Sequence, residues 1–240
     1  MLIFPANPKY PIRHPSPMIK VISFDVDGSF VDKSSFEDLF WYEELPAIYS
    51  REFKLSQEKS KAAVQSAYKE ISLFDPEWHK PETWFKRLKL DPDEEKLLKD
   101  LKGNYMEHRD VRPAIEHLYS THRYKLVAIT NSSRSYLRYK LKTLDMQGFF
   151  SKIISAVDDF DKVKKDAGVF QDIFTSFGVT PDEVMHVGDD IYMDFDVPST
   201  MKIHSYLLDR RMKKSGTRVV HDMTEFLQKV KEIDARFVKM

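Results

Sequence analysis

Five short apolar runs along this 240-residue chain each stop at a cluster of acidic or hydroxyl side chains, and that recurrence restricts the fold more than any other feature. Ile19-Lys20-Val21-Ile22-Ser23-Phe24 runs into Asp25-Val26-Asp27-Gly28. The run from Tyr124 to Ile129 ends at Thr130-Asn131-Ser132, and that from Ile153 to Val157 at Asp158-Asp159. Val184 to Val187 leads into Gly188-Asp189-Asp190, and a weaker run from Met201 to Leu208 leads into Asp209. Runs of this length, rich in β-branched and aromatic residues, predict buried strands. Between them apolar residues recur at helical spacing: Ala114, Ile115 and Leu118; Leu137, Leu141 and Leu144; Phe170, Ile173, Phe174 and Phe177. Gly178 is a candidate helix stop, and Asp222 a candidate N-cap for a last helix carrying Phe226, Leu227 and Val230.

Strands alternating with helices predict a parallel sheet covered on both faces, a three-layer, Rossmann-like α/β core. The ligand site of such a sheet lies beyond the carboxyl ends of its strands, where the acidic clusters fall. The interval 33–108 differs, being helix-like and aromatic throughout. Ser56 to Leu73 predicts one helix stopping before Asp75-Pro76, and Pro81 and Pro92 predict two further helix starts. The expected organisation is a core of residues 18–32 and 109–240, with 33–108 inserted as a helical cap. Residues 1–17 carry five prolines and are expected to form an extended arm, with Met18 a second candidate start.

Composition excludes several classes of function. Lysine plus arginine and aspartate plus glutamate are both 38, so there is no basic surplus for general nucleic-acid binding. No cysteine is present, which removes disulfides, thiolate metal sites and cysteine nucleophiles. No apolar run approaches the roughly 20 residues that span a bilayer, and the first 20 residues lack the pattern of a secretory signal. A cytoplasmic protein with no nucleic-acid or membrane partner is expected. Neither Gly-x-Gly-x-x-Gly nor a P-loop follows the first strand, where acidic residues stand instead.

Those acidic residues suggest their own chemistry. Asp25 and Asp27 follow a buried strand at spacing i, i+2, which puts both on one side while the chain stays extended. Gly28 permits a tight turn directly after them. Asp189 and Asp194 lie beyond another strand end. Carboxylates gathered from separate strands repel and lose hydration as a plain core, but suit a hard divalent cation such as Mg²⁺.

In that order and placement, the chain resembles the haloacid dehalogenase-like superfamily, in the branch with a helical cap inserted after the first strand. Asp25-Val26-Asp27-Gly28-Ser29-Phe30 is similar to the family's first motif, with Ser29 where threonine is usual. The resemblance implies that Asp25 is the nucleophile attacking phosphorus and a Mg²⁺ ligand. It implies that Asp27 is the general acid and base, with its backbone carbonyl reaching the metal. Thr130-Asn131 resembles the second motif, whose hydroxyl and backbone amide hold the phosphoryl oxygens. For the third-motif lysine, counting back six residues from Phe170 selects Lys164, whereas counting forward from Ser155 favours Lys162, and Lys165 is the remaining candidate. Gly188 to Asp194 resembles the fourth motif. It implies Asp189 as metal ligand, with Asp194 and Asp190 as supporting acids and Met193 replacing a frequent asparagine.

The resemblance implies a Mg²⁺-dependent phosphatase working through an aspartyl-phosphate. A 2-haloacid dehalogenase, a phosphomutase or other phosphotransferase, and a non-enzymatic binding protein are the alternatives. Asp27 speaks against the dehalogenase, because a departing halide needs no proton. A capped site implies a small phosphorylated metabolite as substrate, with Tyr42, Phe40, Trp41 and Phe85 as candidate pocket residues that mostly read as core. His79, His108, His117 and His122 have no metal-ligand spacing and read as surface or capping residues. Arg134 and Arg138 read as a solvated helix face.

Overall fold

In the computed structural model, residues 19–102 and 106–238 are described, and the proline-rich arm and Met18 lie outside them. Six parallel strands form one sheet in the order β3-β2-β1-β4-β5-β6: β1 Val21–Asp25, β2 Lys125–Thr130, β3 Lys152–Ser155, β4 Val184–Gly188, β5 His204–Leu208 and β6 Val219–Val220. The two central strands, β1 and β4, are buried at every residue, as a parallel sheet covered on both faces requires. The chain winds outward from β1 through β2 to β3, then returns to the other side of β1 at β4. The switch point therefore lies between β1 and β4. Phe24 pairs with Ala128 on one side and Val187 on the other. That register brings Asp25, Thr130 and Gly188 to a common edge of the sheet.

Alternation along β1 divides the core. Ile22 and Phe24 join one cluster with Leu126, Ala128, Met185 and Val187, while Val21 faces the other with Val127, Ile129, Phe170 and Ile173. Between β1 and β2 the described chain is helical: α1 Lys33–Glu37, a π-helical turn Asp38–Glu44, α2 Leu45–Phe53, α3 Gln57–Tyr68, a 3₁₀ turn Pro76–His79, α4 Pro81–Arg87 and α5 Glu94–Leu101. The core helices are α6 Val111–Ser120, α7 Arg134–Thr143, α8 Ala156–Phe160, α9 Ala167–Phe177, α10 Val197–Thr200 and α11 Met223–Val238. No described helix is long and apolar enough to cross a membrane.

Several sequence boundaries shift for identifiable reasons. The helix expected to reach Leu73 ends at Tyr68, because Lys69 and Glu70 close turns on Ser66 and Ala67 and Ser72 then builds a turn toward Asp75. Pro92 does not begin α5. Asp93 caps it by accepting from the Lys96 amide, leaving the proline outside. The third apolar run divides: Ser155 accepts from the Asp158 amide and turns Ala156 and Val157 into α8. Gly178, with φ +61°, ends α9 as expected, and Asp222 caps α11 through the Glu225 amide.

The insertion is attached at two paired crossings. Asp32 donates its amide to the Met106 carbonyl (2.9 Å), and His108 donates to the Phe30 carbonyl (3.1 Å). Its aromatic residues form one continuous cluster with the sheet face through Phe30, Phe36 and Tyr136. Trp84 is fully buried there, with its indole N–H on the Trp78 carbonyl at 2.8 Å. Trp84→Ala removes both packing and this hydrogen bond, and a loss of about 3–5 kcal/mol is expected in urea unfolding.

Candidate active site

Asp25 ends β1 on the same side as Ser23 and is 3% exposed. Its counter-ion is Lys165, 1% exposed, whose Nζ bridges Asp25 Oδ1 and Asp194 Oδ1, the latter at 2.6 Å. Asp194 is fixed from two further directions. The Asp190 amide donates to its Oδ2 at 3.1 Å, and His186 Nε2 lies 3.1 Å from its Oδ1. His186 Nδ1 in turn lies 2.8 Å from the Ser23 hydroxyl. Burial lowers the His186 pKa. A neutral imidazole that donates through Nε2 and accepts from Ser23 at Nδ1 satisfies every one of these contacts.

Two glycines make this crowding possible. A Cβ on Gly188 would stand 2.4 Å from Asp194 Cγ. On Gly28, whose φ of +82° already disfavours a side chain, it would stand 2.3 Å from Asp189 Oδ2. The Gly28 backbone thus lies against the Asp189 carboxylate, with Asp27 immediately before it. Arg210 holds the same turn, donating to the Ser29 carbonyl through Nη2 (2.7 Å) and to Asp110 through Nη1 (3.0 Å).

Asp25, Asp189 and Asp194 bring ligand oxygens within 4.8 Å of one another. Burial pushes the Asp25 carboxyl well up, Lys165 opposes this, and Asp194, Asp189 and Asp27 add repulsion. Burial acts on Asp194 as well, but Lys165 and His186 outweigh it and hold that carboxyl below its usual range. Burial also disfavours the charge on Lys165, yet Asp194 and Asp25 overcome it and raise the lysine. Hard oxygen donors with excess negative charge at Asp25 suit a divalent cation, so the donor set fits one.

Asp27 is held apart from this cluster. Lys140, fully buried on α7, forms an ion pair with Asp27 Oδ1, and its Nζ lies 4.1 Å from the Tyr136 ring centroid. The Thr130 hydroxyl lies 3.4 Å from Asp27 Oδ2 and accepts the Ser132 amide at 2.9 Å. Asn131 accepts the Lys165 amide at 2.7 Å and directs its Nδ2 to Met193 Sδ at 3.4 Å.

The structure gathers Asp25, Asp189 and Asp194 at one point, sets Thr130 beside Asp27, and brings Asn131 to the Lys165 backbone. Lys164 is exposed, and Lys165 is the lysine that enters the site. Asp166 caps α9 by accepting the Gly168 amide, and the Lys165 amide is tied to Asn131, which turns this side chain inward. Lys162 pairs outside with Asp166. Asp190 accepts the Met193 amide at 2.7 Å, so its carboxylate caps a turn. Sequence reasoning missed His186, Ser23, Lys140 and Arg210. The only available signals were polar residues interrupting apolar runs, at Ser23 and His186, and a lysine one turn after Tyr136.

Beside Ser132, Trp41, Tyr42, Trp78 and Tyr136 line a cavity of about 380 Å³ between the insertion and the core. Phe40 and Phe85 are buried in the shared aromatic cluster instead. Arg134 pairs with Asp159, and Arg138 is exposed.

The switch-point site of this α/β fold is thus built from an aspartate pair, a buried lysine and a distant acidic loop. The profile of haloacid dehalogenase-like hydrolases matches residues 19–196, and the chain belongs to that family. No curated protein matches it by sequence. It is similar to the HAD phosphatase from Thermococcus onnurineus, at 23% identity over 88% of this chain and 98% of that one, with a TM-score of 0.66. The magnesium-bound HAD-hydrolase YfnB from Bacillus subtilis aligns at 16% identity over 90% and 100%, TM-score 0.59. The 2-haloacid dehalogenase from Pseudomonas syringae aligns at 14% over 92% and 100%, TM-score 0.53. At these identities the likeness establishes the fold alone.

Replacing the buried cation distinguishes the two neighbouring lysines. Lys165→Met leaves two buried carboxylates without their counter-ion, and a loss of about 3–5 kcal/mol is expected in metal-free urea unfolding. Lys164→Met is expected within about 0.5 kcal/mol of the parent in the same measurement.

Proposed function

We propose that the protein is a Mg²⁺-dependent phosphatase that hydrolyses a small phosphorylated metabolite through an aspartyl-phosphate on Asp25. The observation that carries this reading is the second carboxylate, Asp27. It stands two residues from the nucleophile, outside the Lys165 cluster and beside Thr130. A phosphate ester needs a proton on its leaving oxygen, and hydrolysis of the acyl phosphate needs a base. Halide displacement needs no such proton.

Asp25, Asp189 and the Asp27 carbonyl would hold the cation, with Asp194 supporting them. When bound, Mg²⁺ offsets the negative charge of nucleophile and phosphate so that they can approach. An Asp25 carboxylate oxygen attacks phosphorus, the ester P–O bond breaks, and Asp27 delivers a proton to the departing alkoxide. Asp27 then takes a proton from water, whose oxygen attacks the same phosphorus. The Asp25–phosphate bond breaks, releasing inorganic phosphate and restoring the Asp25 carboxylate and the protonated Asp27. Lys165 balances charge at Asp25 and on the transferring phosphoryl group. Lys140 holds Asp27 Oδ1, and the Thr130 hydroxyl and Asn131 amide receive phosphoryl oxygens. Residues 33–108 act as the cap, excluding water and contacting the leaving group.

Hydrolysis of p-nitrophenyl phosphate by the parent is expected with Mg²⁺ and not with EDTA. Asp25→Asn is expected to lower the rate about 10⁴-fold or more by removing the covalent route. Turnover that survives in Asp25→Asn, with deamidation excluded by mass spectrometry, would overturn the mechanism.

A further inference from the structure

Lys140, one turn after Tyr136 on α7, is fully buried where packing alone would favour an apolar side chain. Its ammonium forms an ion pair with Asp27 Oδ1 and lies 4.1 Å from the Tyr136 ring centroid and 5.3 Å from that of Phe36. Among the described residues no second carboxylate is ion-paired with it. Lys142, two residues further along the same helix, keeps its charge near the surface on Glu94. Taking an ammonium out of water is costly, so the buried charge calls for a reason beyond filling space.

The geometry at Asp27 supplies one. Oδ1 faces Lys140, and Oδ2 lies 3.4 Å from the Thr130 hydroxyl. An ammonium offers only donors, so Oδ1 is engaged as an acceptor and Oδ2 is the oxygen placed to exchange a proton. That oxygen is on the side of Thr130, the residue assigned above to a phosphoryl oxygen. Negative charge develops on Asp27 as its proton leaves. An ammonium already seated on the other oxygen stabilises that charge without reorganisation.

We infer that Lys140 is a positioning residue for proton delivery by Asp27, and that Phe36 makes the insertion part of this hold. The inference rests on the phosphatase reading of the site. In the bond-breaking step an Asp25 oxygen bonds to phosphorus, the ester P–O bond breaks, and a proton passes from Asp27 Oδ2 to the departing oxygen. Asp27 is left as a carboxylate paired with Lys140, whose ammonium keeps all its protons. Phe36 belongs to α1 of the insertion and Tyr136 to the core helix α7, so the rings around the ammonium come from both sides of that boundary. A lysine that served folding alone would affect every substrate alike. A lysine that orients Asp27 affects each ester according to how much its leaving oxygen needs a proton.

The test compares kcat/KM for phenyl phosphate and 2,4-dinitrophenyl phosphate, using the full chain with Mg²⁺. Phenolate is the stronger base and depends on the proton, whereas dinitrophenolate departs without one. The ratio of dinitrophenyl to phenyl ester is expected to rise about 30-fold or more in Lys140→Met. A rise of about threefold is expected in Phe36→Leu, which keeps the ammonium and removes one ring. Asp27→Asn is expected to raise the ratio at least as far as Lys140→Met. Adding Lys140→Met to Asp27→Asn is expected to change it by less than about threefold, because the lysine acts through the carboxylate. An unchanged ratio in Lys140→Met, or an equal rise when Asp27 is already asparagine, would overturn the inference and leave the phosphatase reading intact. If Lys140→Met fails to fold by circular dichroism, Phe36→Leu decides: a raised ratio supports the inference and an unchanged one overturns it. Absence of metal-dependent turnover of either ester by the parent would overturn the phosphatase reading and this inference with it.

Discussion

The buried Lys165 ammonium, shared between Asp25 and Asp194, is the interaction on which the site depends. Three charged groups at 1–3% exposure hold together only because each removes part of another's desolvation cost. The sharing is unequal. Asp194 also receives His186 and the Asp190 amide, so it is settled as a carboxylate. Asp25 has the same lysine but faces three other acids, and its charge is resisted. The nucleophile of the proposed mechanism is thus less compensated by protein than Asp194. A cation at the neighbouring carboxylates would change that balance most at Asp25.

Much of this was readable because the fold places its chemistry at strand ends. Short apolar runs followed by polar clusters specified β1, β2 and β4 and, through the switch point, a common edge for Asp25, Thr130 and Gly188. The lysine was misplaced by one residue for a physical reason. Counting along a chain fixes a position only where the backbone is regular, and residues 161–166 are a loop. There the inward residue is decided by the Asp166 cap and the Asn131 side chain, neither of which has a periodic signature. His186, Ser23 and Lys140 were hidden differently. Each sits inside an otherwise apolar pattern, and its partner lies between 8 and 163 residues away.

The insertion shows the complementary case. Its helical character was plain from composition and proline placement, while the exposed or buried fate of each aromatic residue was not. Phe40, Trp41 and Tyr42 are consecutive in a π-helical turn: the first two are buried, and Tyr42 is 41% exposed beside the cavity. A π-helical turn advances its side chains by an angle different from an α-helix, so ordinary helical spacing misassigns them. The aromatic excess serves two purposes at once, packing the insertion onto the sheet face and lining the space left between them.

Lys140 joins those purposes. It takes its charge into a fully buried position by pairing with Asp27 and lying near the faces of Tyr136 (4.1 Å) and Phe36 (5.3 Å). Phe36 belongs to the insertion, Tyr136 to the first core helix after Thr130, and Asp27 to the strand-end motif. One ammonium therefore contacts the insertion, the helix after β2 and the strand-end motif together. Any displacement of the insertion that moves Phe36 removes part of the lysine's aromatic surroundings and alters what holds Asp27 Oδ1. The packing of the insertion and the hold on Asp27 are coupled through this cation, separately from the Lys165 cluster at Asp25.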